Sequence, residues 1–355
     1  MYQASAPMSF AVIGCGSIAE THAKALRSLP DHTRLAACHD IDPARAEAFA
    51  ARHGVRAMNW AAILADASIE AVTVCTPSGL HAQHAVEALR AGKHVVVEKP
   101  MDVTLAACDA ILAAEASGKG RVGVICQHRF DPASRFAKEV IERGDLGKLV
   151  LIDAKVPWYR TQDYYDSGDW RGTWALDGGG CVMNQGIHTV DLMLWLAGPV
   201  ERTHAVMRTR AHERIEVEDV LCSTLEFANG AIGSFVATTA AYPGFPVRLA
   251  LYGTKGTLVL EGDELQLLAI EGREMKSGPG ASAHARQVAG GGTRAAVEGS
   301  TGTALNSGAW VWGDAHRAQF RDFVECVRDG RDPLSNSRSG RAAVELILRM
   351  YGRER

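Results

Sequence analysis

The chain has no apolar run that reaches the roughly 18 residues a membrane-spanning helix needs. Nor does it have a polybasic cluster. Its formal net charge is −3, with acids and bases mixed along its length, so neither nucleic acid nor membrane is expected as a partner. The opening residues MYQASAP carry neither a charged n-region nor an apolar h-region, and no secretory signal is expected. The eight cysteines stand at positions 15, 38, 75, 108, 126, 181, 222 and 326, with no C-x-x-C pair among them. That spacing argues against a structural zinc site and suits reduced thiols in a cytoplasmic protein. Aromatic residues make up only 6% of the chain, so a local concentration of them is informative.

What the chain does have is length. With 355 residues, 47% of them hydrophobic, it exceeds what one core usually holds, and two domains are expected. From Met8 to about Gln127, short apolar runs (FAVIG, RLAAC, EAVTVC, HVVVE, RVGVIC) alternate with helical patterns. That is the pattern of a parallel sheet covered by helices. After Gly147 the pattern changes. KLVLIDAKV, ERTHAVMRTR, DVLCSTLEFANGAIGSFVATTA, VRLALYG and GTLVLEG read as strands, with tight turns at Asn229-Gly230 and around Gly253–Gly256. These predict an antiparallel sheet. Residues 277–308 are rich in Gly, Ala and Ser and read as a long loop. Two helical segments close the chain. The fold class expected is α/β, with domains at 1–127 and 128–355.

FAVIGCGSIAETHA sets Gly14, Gly16 and Ala19 in a G-x-G-x-x-A pattern, directly after an apolar strand and at the opening of a helix. The glycines allow a tight turn and close backbone approach to a pyrophosphate. The helix N-terminus, with Ser17 and Ile18 in its first turn, offers free N–H groups and a positive dipole end. This is the pattern of a dinucleotide-binding Rossmann domain. About 20 residues on, Asp40 ends the second strand. Its carboxylate suits the ribose hydroxyls and repels a 2′-phosphate, which favours NAD over NADP. Asp40 could instead cap the next helix, but Asp42, just before Pro43, is the better cap. Arg45 is the nearby base able to accept a phosphate.

GKHVVVEKPMDV places Glu98, Lys99 and Pro100 at the end of the fifth strand, and in such sheets ligands bind beyond the carboxyl ends of the strands. A partly desolvated Lys99 beside a cationic nicotinamide would release its proton more easily and could relay one near neutrality. TPSGLHAQHA ends the preceding strand, so Thr76, Pro77 and His81 are expected to line the nicotinamide side.

LDGGGCVMNQGIHTVDLMLWLAG runs from Leu176 to Gly198. At about 100° per residue, Asn184, His188 and Asp191 fall in one narrow stripe between apolar walls. The helix is therefore buried nearly all round, and three buried polar groups cost several kcal/mol unless paired or used. The functional reading is a catalytic face, with the three glycines admitting a ligand near the helix start. The alternative is an internal polar network. His188 and Asp191 could share a metal, but no second histidine is placed to help, and no metal is expected.

With GCGSIA, TPSGLH, EKP and GGGCVMNQGIHTVDL in this order, the chain resembles the Gfo/Idh/MocA family, which includes glucose–fructose oxidoreductase and inositol dehydrogenase. The resemblance covers nearly the whole chain. It implies a Rossmann domain followed by an α/β domain with an open, mainly antiparallel sheet, and NAD(P)-dependent oxidation or reduction of a sugar or cyclitol hydroxyl. It puts the family's lysine on Lys99 and its histidine on His188. Many members carry Asp four residues before that histidine, whereas this chain has Asn184, which cannot take a proton.

The expected mechanism places a secondary hydroxyl between His188 and Lys99. His188 takes the hydroxyl proton as hydride leaves, Lys99 stabilises the alkoxide, Asn184 orients substrate or imidazole, and Asp191 holds the imidazole or serves the structure. KVPWYRTQDYYDSGDWRGTW gathers about a quarter of the chain's aromatics. Trp158, Tyr159, Tyr164 and Trp170 can stack on sugar C–H faces, and Arg160 and Arg171 keep open an anionic substrate such as a uronate or sugar nucleotide. Arg129 joins these substrate candidates, and His316 is a further residue that could reach the site. The chain is expected to work as a homodimer or homotetramer through its second sheet. Two rival functions remain. One is an NAD-dependent glycosidase acting by oxidation and elimination, and the other is a non-catalytic NAD(P)-binding sugar sensor.

Overall fold

The computed structural model describes residues 6–270, 273–276 and 309–354, so the loop expected at 277–308 lies outside the described residues. Two compact units form. One is Met1–Gln127 with Trp310–Arg341, and the other is His128–Ala309 with Ala342–Arg355.

In the first unit, β1 (Met8–Ile13), β2 (Thr33–His39), β3 (Arg56–Ala57), β4 (Ala71–Val74), β5 (His94–Val97) and β6 (Val122–Val124) form a sheet in the order β3-β2-β1-β4-β5-β6. Every pair is parallel. Strand β1 is buried along its whole length, as expected of a strand covered on both faces. The helices are α1 (Ser17–Arg27), α2 (Pro43–His53), α3 (Trp60–Ala65), α4 (His81–Arg90) and α5 (Leu105–Ser117). Helix α2 shows the local logic. The Asp42 side chain accepts from the Ala44 and Arg45 N–H groups, Pro43 opens the first turn, and Gly54 closes the helix at φ +62°. Strand β3 and helix α3 are too short to leave a periodic signal.

The second unit is built on β7 (Leu149–Pro157), β8 (Val200–Arg208), β9 (Val220–Phe227), β10 (Ile232–Thr238), β11 (Arg248–Gly253), β12 (Gly256–Glu261), β13 (Glu264–Ile270) and β14 (Arg273–Lys276). Their order is β14-β13-β12-β11-β7-β10-β9-β8. Only β7 and β10 pair in parallel. Between them the chain makes a long crossover that carries α7 (Gln162–Asp166) and α8 (Ile187–Ala197), after α6 (Pro132–Glu142). Turns at Asn229-Gly230 and Gly253–Gly256 join neighbouring antiparallel strands, as the turn chemistry predicts. Ile152, Ala154, Phe235, Leu249 and Leu251 are buried on one face of the sheet, while Leu151, Val206 and Ile232 are exposed on the other.

The last two helices, α9 (Ala309–Asp329) and α10 (Ser337–Tyr351), change the expected division at residue 128. Trp310–Arg341 belongs to the first unit. There, Phe320 and Phe323 pack their rings 5.8 and 6.4 Å from that of Phe10. Gln319 and Ser335 satisfy the open edge of β6. The Gln319 amide accepts from Cys126 N–H and donates to the Val124 carbonyl, which the Ser335 hydroxyl also meets at 2.8 Å. An edge strand whose backbone groups are buried needs such partners. The chain supplies them some 190 residues further on, which no local pattern reveals.

Candidate functional site

The glycine turn of the first unit uses its two glycines differently. Gly14 has φ +87°, and a Cβ there would come within 2.8 Å of the Cys75 carbonyl, so only glycine lets the turn pass the end of β4. Gly16 has open space where a Cβ would stand. It precedes α1, and no side chain caps the N–H groups of that helix. Asp40 accepts from Cys15 N–H at 2.8 Å and Asp42 N–H at 2.9 Å, tying the end of β2 to the glycine turn. Arg45 lies 3.8 Å from Asp40 and 3.9 Å from Asp42, so this base is drawn to carboxylates. An uncapped helix N-terminus, space beside Gly16 and an acid at the strand end together fit a dinucleotide without a 2′-phosphate.

Lys99 follows β5 directly, and its peptide bond to Pro100 is cis. Glu98, expected among the cofactor contacts, is instead a buried anchor. One carboxylate oxygen meets His22 Nε2 at 2.8 Å, and the other accepts the Lys99 N–H at 3.0 Å. Burial opposes a charged His22, but Cys75 and Glu98 outweigh it and hold the imidazole up at about 10. Burial likewise opposes a charged Glu98, and His22 overcomes it, bringing the carboxyl down to about 2. The pair is therefore ionic. His316 lies beside it in the first unit, its ring 5.7 Å from that of His22.

His81, expected beside the nicotinamide, is a brace. It is buried, with Nδ1 at 2.7 Å from the Pro100 carbonyl and Nε2 at 2.9 Å from the Thr76 carbonyl. It clamps the two strand-end turns together. Burial lowers its pKa against the pull of both carbonyls. The Thr76 hydroxyl is buried with no hydrogen-bond partner among the described residues, and Pro77 leads into the short turn Ser78–Leu80.

In the second unit, the helix of the polar stripe does not begin as a regular α-helix. Cys181–Gly186 is a π-helical turn, and α8 starts at Ile187. A uniform 100° spacing therefore does not hold across Asn184. Two of the three glycines are needed for close packing. Gly179 has φ +159°, and a Cβ there would meet Tyr351 Oη at 2.5 Å. A Cβ on Gly180 would overlap the Glu218 carbonyl. The Glu218 side chain accepts from Gly180 N–H and Val182 N–H at 2.9 Å each, and from Tyr351 O–H at 2.7 Å. Burial raises the Glu218 carboxyl, and these bonds pull it back.

The three polar residues of the stripe then separate. Asp191 faces Arg129. Its carboxylate takes both branches of Arg129, at 2.8 and 2.6 Å, and both residues are buried. Arg129, expected to meet substrate, is thus the counter-ion of Asp191, with its guanidinium 5.7 Å from the Trp195 ring. Asn184 donates at 2.5 Å to Asp177, whose other oxygen accepts Gly172 N–H. An acid therefore does stand behind Asn184, but it comes from the glycine run rather than from four residues before the histidine. His188 is 8% exposed and makes an edge contact with His128, ring centroids 5.2 Å apart. His128 Nδ1 lies 2.7 Å from Asp131 and 3.2 Å from Asp263. Burial opposes its charge, yet the two carboxylates hold His128 well above its ordinary 6.5. Glu218 leaves no local sequence signal, because its partners Gly180, Val182 and Tyr351 lie 36 or more residues away in the chain.

Two clusters have donor atoms mutually within 4.8 Å: His22, Glu98 and His316, and His128, Asp131 and Asp263. In the aromatic loop, Arg171 lies 4.4 Å from the Tyr164 ring and 4.5 Å from that of Trp170. Arg160 lies 4.9 Å from the Trp158 ring and 5.4 Å from Tyr164. Tyr159 packs on Tyr242.

Two family models match the chain. The oxidoreductase family, NAD-binding Rossmann fold, covers residues 8–126, and the GFO/IDH/MocA C-terminal domain covers residues 134–259. The inositol 2-dehydrogenase of Rhizobium meliloti is 31% identical over 258 residues, 71% of this chain and 75% of that protein. Inositol 2-dehydrogenase 2 of Saccharopolyspora erythraea is 29% identical over 272 residues, 75% of this chain and 77% of that protein. In structure, the chain is similar to the WlbA dehydrogenase from Bordetella pertussis, solved in complex with NADH and UDP-GlcNAcA. The TM-score is 0.83 at 30% identity, covering 98% of this chain and 95% of that one.

Proposed function

Since the chain belongs to the Gfo/Idh/MocA family of NAD-binding oxidoreductases, we propose that it moves hydride between NAD and a secondary hydroxyl of a sugar, sugar acid or cyclitol. Bound NAD supplies the hydride acceptor. Gly14, Gly16, Ser17, Ile18 and Ala19 hold its pyrophosphate on the α1 N-terminus, and Asp40 takes the ribose.

In this reading His188 accepts the hydroxyl proton, and Lys99 steadies the negative charge that develops on oxygen. The carrying observation is the division of labour along the π-turn and α8. Asp191 is committed to Arg129 and Asn184 donates to Asp177, while the His188 ring sets its edge against His128. A neutral imidazole is the form that can take a proton. Asn184, held by Asp177, orients the substrate. Trp158, Tyr159, Tyr164 and Trp170 offer stacking faces to a ring.

The test is His188→Ala, assayed with free sugars, sugar acids, cyclitols and glycosides. NAD binding should be kept, and turnover should fall about 10²–10⁴-fold. Unchanged turnover removes His188 from the mechanism. On the wild type, net NADH formation supports the dehydrogenase. Glycoside cleavage without net NADH would instead indicate the oxidising–eliminating glycosidase, and binding without either reaction would indicate a sensor.

The reading also has the chain acting as a homodimer or homotetramer. Val206 and Ile232, 54% and 60% exposed on the open sheet face, support this, and sedimentation velocity tests it. The eight free cysteines support a cytoplasmic setting.

A further inference from the structure

We infer that Arg160 and Arg171, brought to one tyrosine ring, form the anion-binding part of the substrate site and select a sugar bearing a carboxylate or phosphate over a neutral one. This assignment rests on the reading of α8 as the catalytic helix.

Three observations carry it. The first is the missing counter-charge. Arg171 Nη1 donates to Tyr164 Oη at 2.8 Å, and Arg160 lies 5.4 Å from the same ring, yet neither guanidinium pairs with a carboxylate among the described residues. Three acids of the neighbouring segments have other partners. Asp166 pairs with Arg214, Asp177 accepts from Asn184 and Gly172, and Glu216 accepts from Trp174 N–H. Two like charges near one phenol are unfavourable where solvent is thin. Burial makes the Arg160 charge harder to keep, and Arg171 adds to the difficulty.

The second observation is unused hydrogen-bonding capacity. Arg160 Nη1 donates to the Tyr159 carbonyl, but its Nε is buried with no acceptor among the described residues. The third is position. Gln185 donates to Tyr164 Oη at 3.0 Å and to Asn184 Oδ1 at 3.4 Å, and it stands three residues before His188. Tyr164 therefore links both arginines to the catalytic helix. A guanidinium is a flat fork of donors, matched to the paired oxygens of a carboxylate or phosphate. A substrate with its reacting hydroxyl at His188 and an acidic substituent toward Tyr164 would supply the missing charge.

The experiment measures binding to the NADH-saturated full chain by calorimetry, with D-glucuronate, UDP-glucose and D-glucose as probes. At least one charged probe should bind about tenfold or more tighter than D-glucose. Glucuronate alone binding tightly identifies a carboxylate, and UDP-glucose alone identifies a phosphate. Arg160→Gln and Arg171→Gln should each remove most of that margin and leave NADH binding unchanged. Should a variant fail to fold, the wild type still decides. Raising NaCl from about 0.05 to 0.5 M should shrink the margin and leave D-glucose binding unaltered.

Equal binding of D-glucose, no binding of any probe, a margin that survives both Gln variants, or one indifferent to salt overturns the assignment. NADH production from the same probes is followed separately. A binding margin without any redox turnover sinks hydride transfer and spares the anion site. Turnover of neutral sugars without a margin does the reverse.

Discussion

Two glycine-rich turns lead into two helices, and the molecule uses them in opposite ways. At Gly14–Gly16 no side chain caps the α1 N–H groups, and the space beside Gly16 is open. At Gly179 and Gly180 the corresponding space is filled. Glu218 accepts two N–H groups of the π-turn, and Tyr351 donates to Glu218 while accepting from Met183 N–H. A helix N-terminus attracts negative charge. The first is met by no capping side chain, whereas the second is met by the Glu218 carboxyl from the approach to β9. Glycine spacing before a helix therefore marks close approach but does not say to what.

The sharpest way to break this comparison is Gly180→Ala. The added Cβ would lie 1.7 Å from the Glu218 carbonyl oxygen, a backbone atom that cannot step aside. A loss above about 4 kcal/mol in urea unfolding, or no folded protein at all, is expected. Near-normal stability would mean that the second turn is not packed as described. Next comes Asp191→Ala, which strands the buried Arg129 charge and should cost about 3–5 kcal/mol. The double change Arg129→Met with Asp191→Leu should recover most of that. A double variant as unstable as the single one would show that the loss is packing, not charge. On the other side of the comparison stands Gly16→Ala. Its Cβ meets open space, so unfolding should stay within about 0.5 kcal/mol of wild type. NADH should bind about tenfold more weakly by fluorescence titration, because the methyl group occupies the pyrophosphate's approach. Altered stability with unaltered affinity would erase the distinction between the two turns.

The same contrast shows what could be read in advance. The parallel sheet and its glycine turn were legible because strand, turn, helix and acid follow one another within about 35 residues, and each side chain acts on its neighbours. The mainly antiparallel sheet was legible from alternation and from turns such as Asn229-Gly230. The fates of Asp191 and Arg129 were not, because their bond joins residues 62 apart. Asn184 was placed on a regular helix, but the π-turn it occupies is held by Glu218, 36 residues beyond Val182. His81 and Glu98 sit where ligand contacts are expected, yet backbone carbonyls and a buried histidine claim them first. The return of α9 to cover β6 is likewise invisible locally. Its apolar face reads only as amphipathic, and Gln319 looks like any surface amide.

The smallest effect concerns charge stored near His188. In the folded chain His128 holds its proton more tightly than the ordinary 6.5, because Asp131 and Asp263 outweigh its burial. In the unfolded chain it titrates near 6.5. The stability it contributes is therefore complete below about pH 6.5 and is lost as pH rises through the raised folded value. His128→Asn should thus be less stable than wild type by about 1 kcal/mol at pH 6.5, with the gap closing toward alkaline pH. Asp131 complicates lower pH, since burial, aided by Asp263, raises its carboxyl to about 6. A scan beginning at pH 6.5 avoids that window. The His22–Glu98 pair also loses stability with rising pH, since His22 titrates at about 10, but it does so in both proteins and cancels in the difference. A gap that stays constant from pH 6.5 upward would mean that His128 carries no trapped proton.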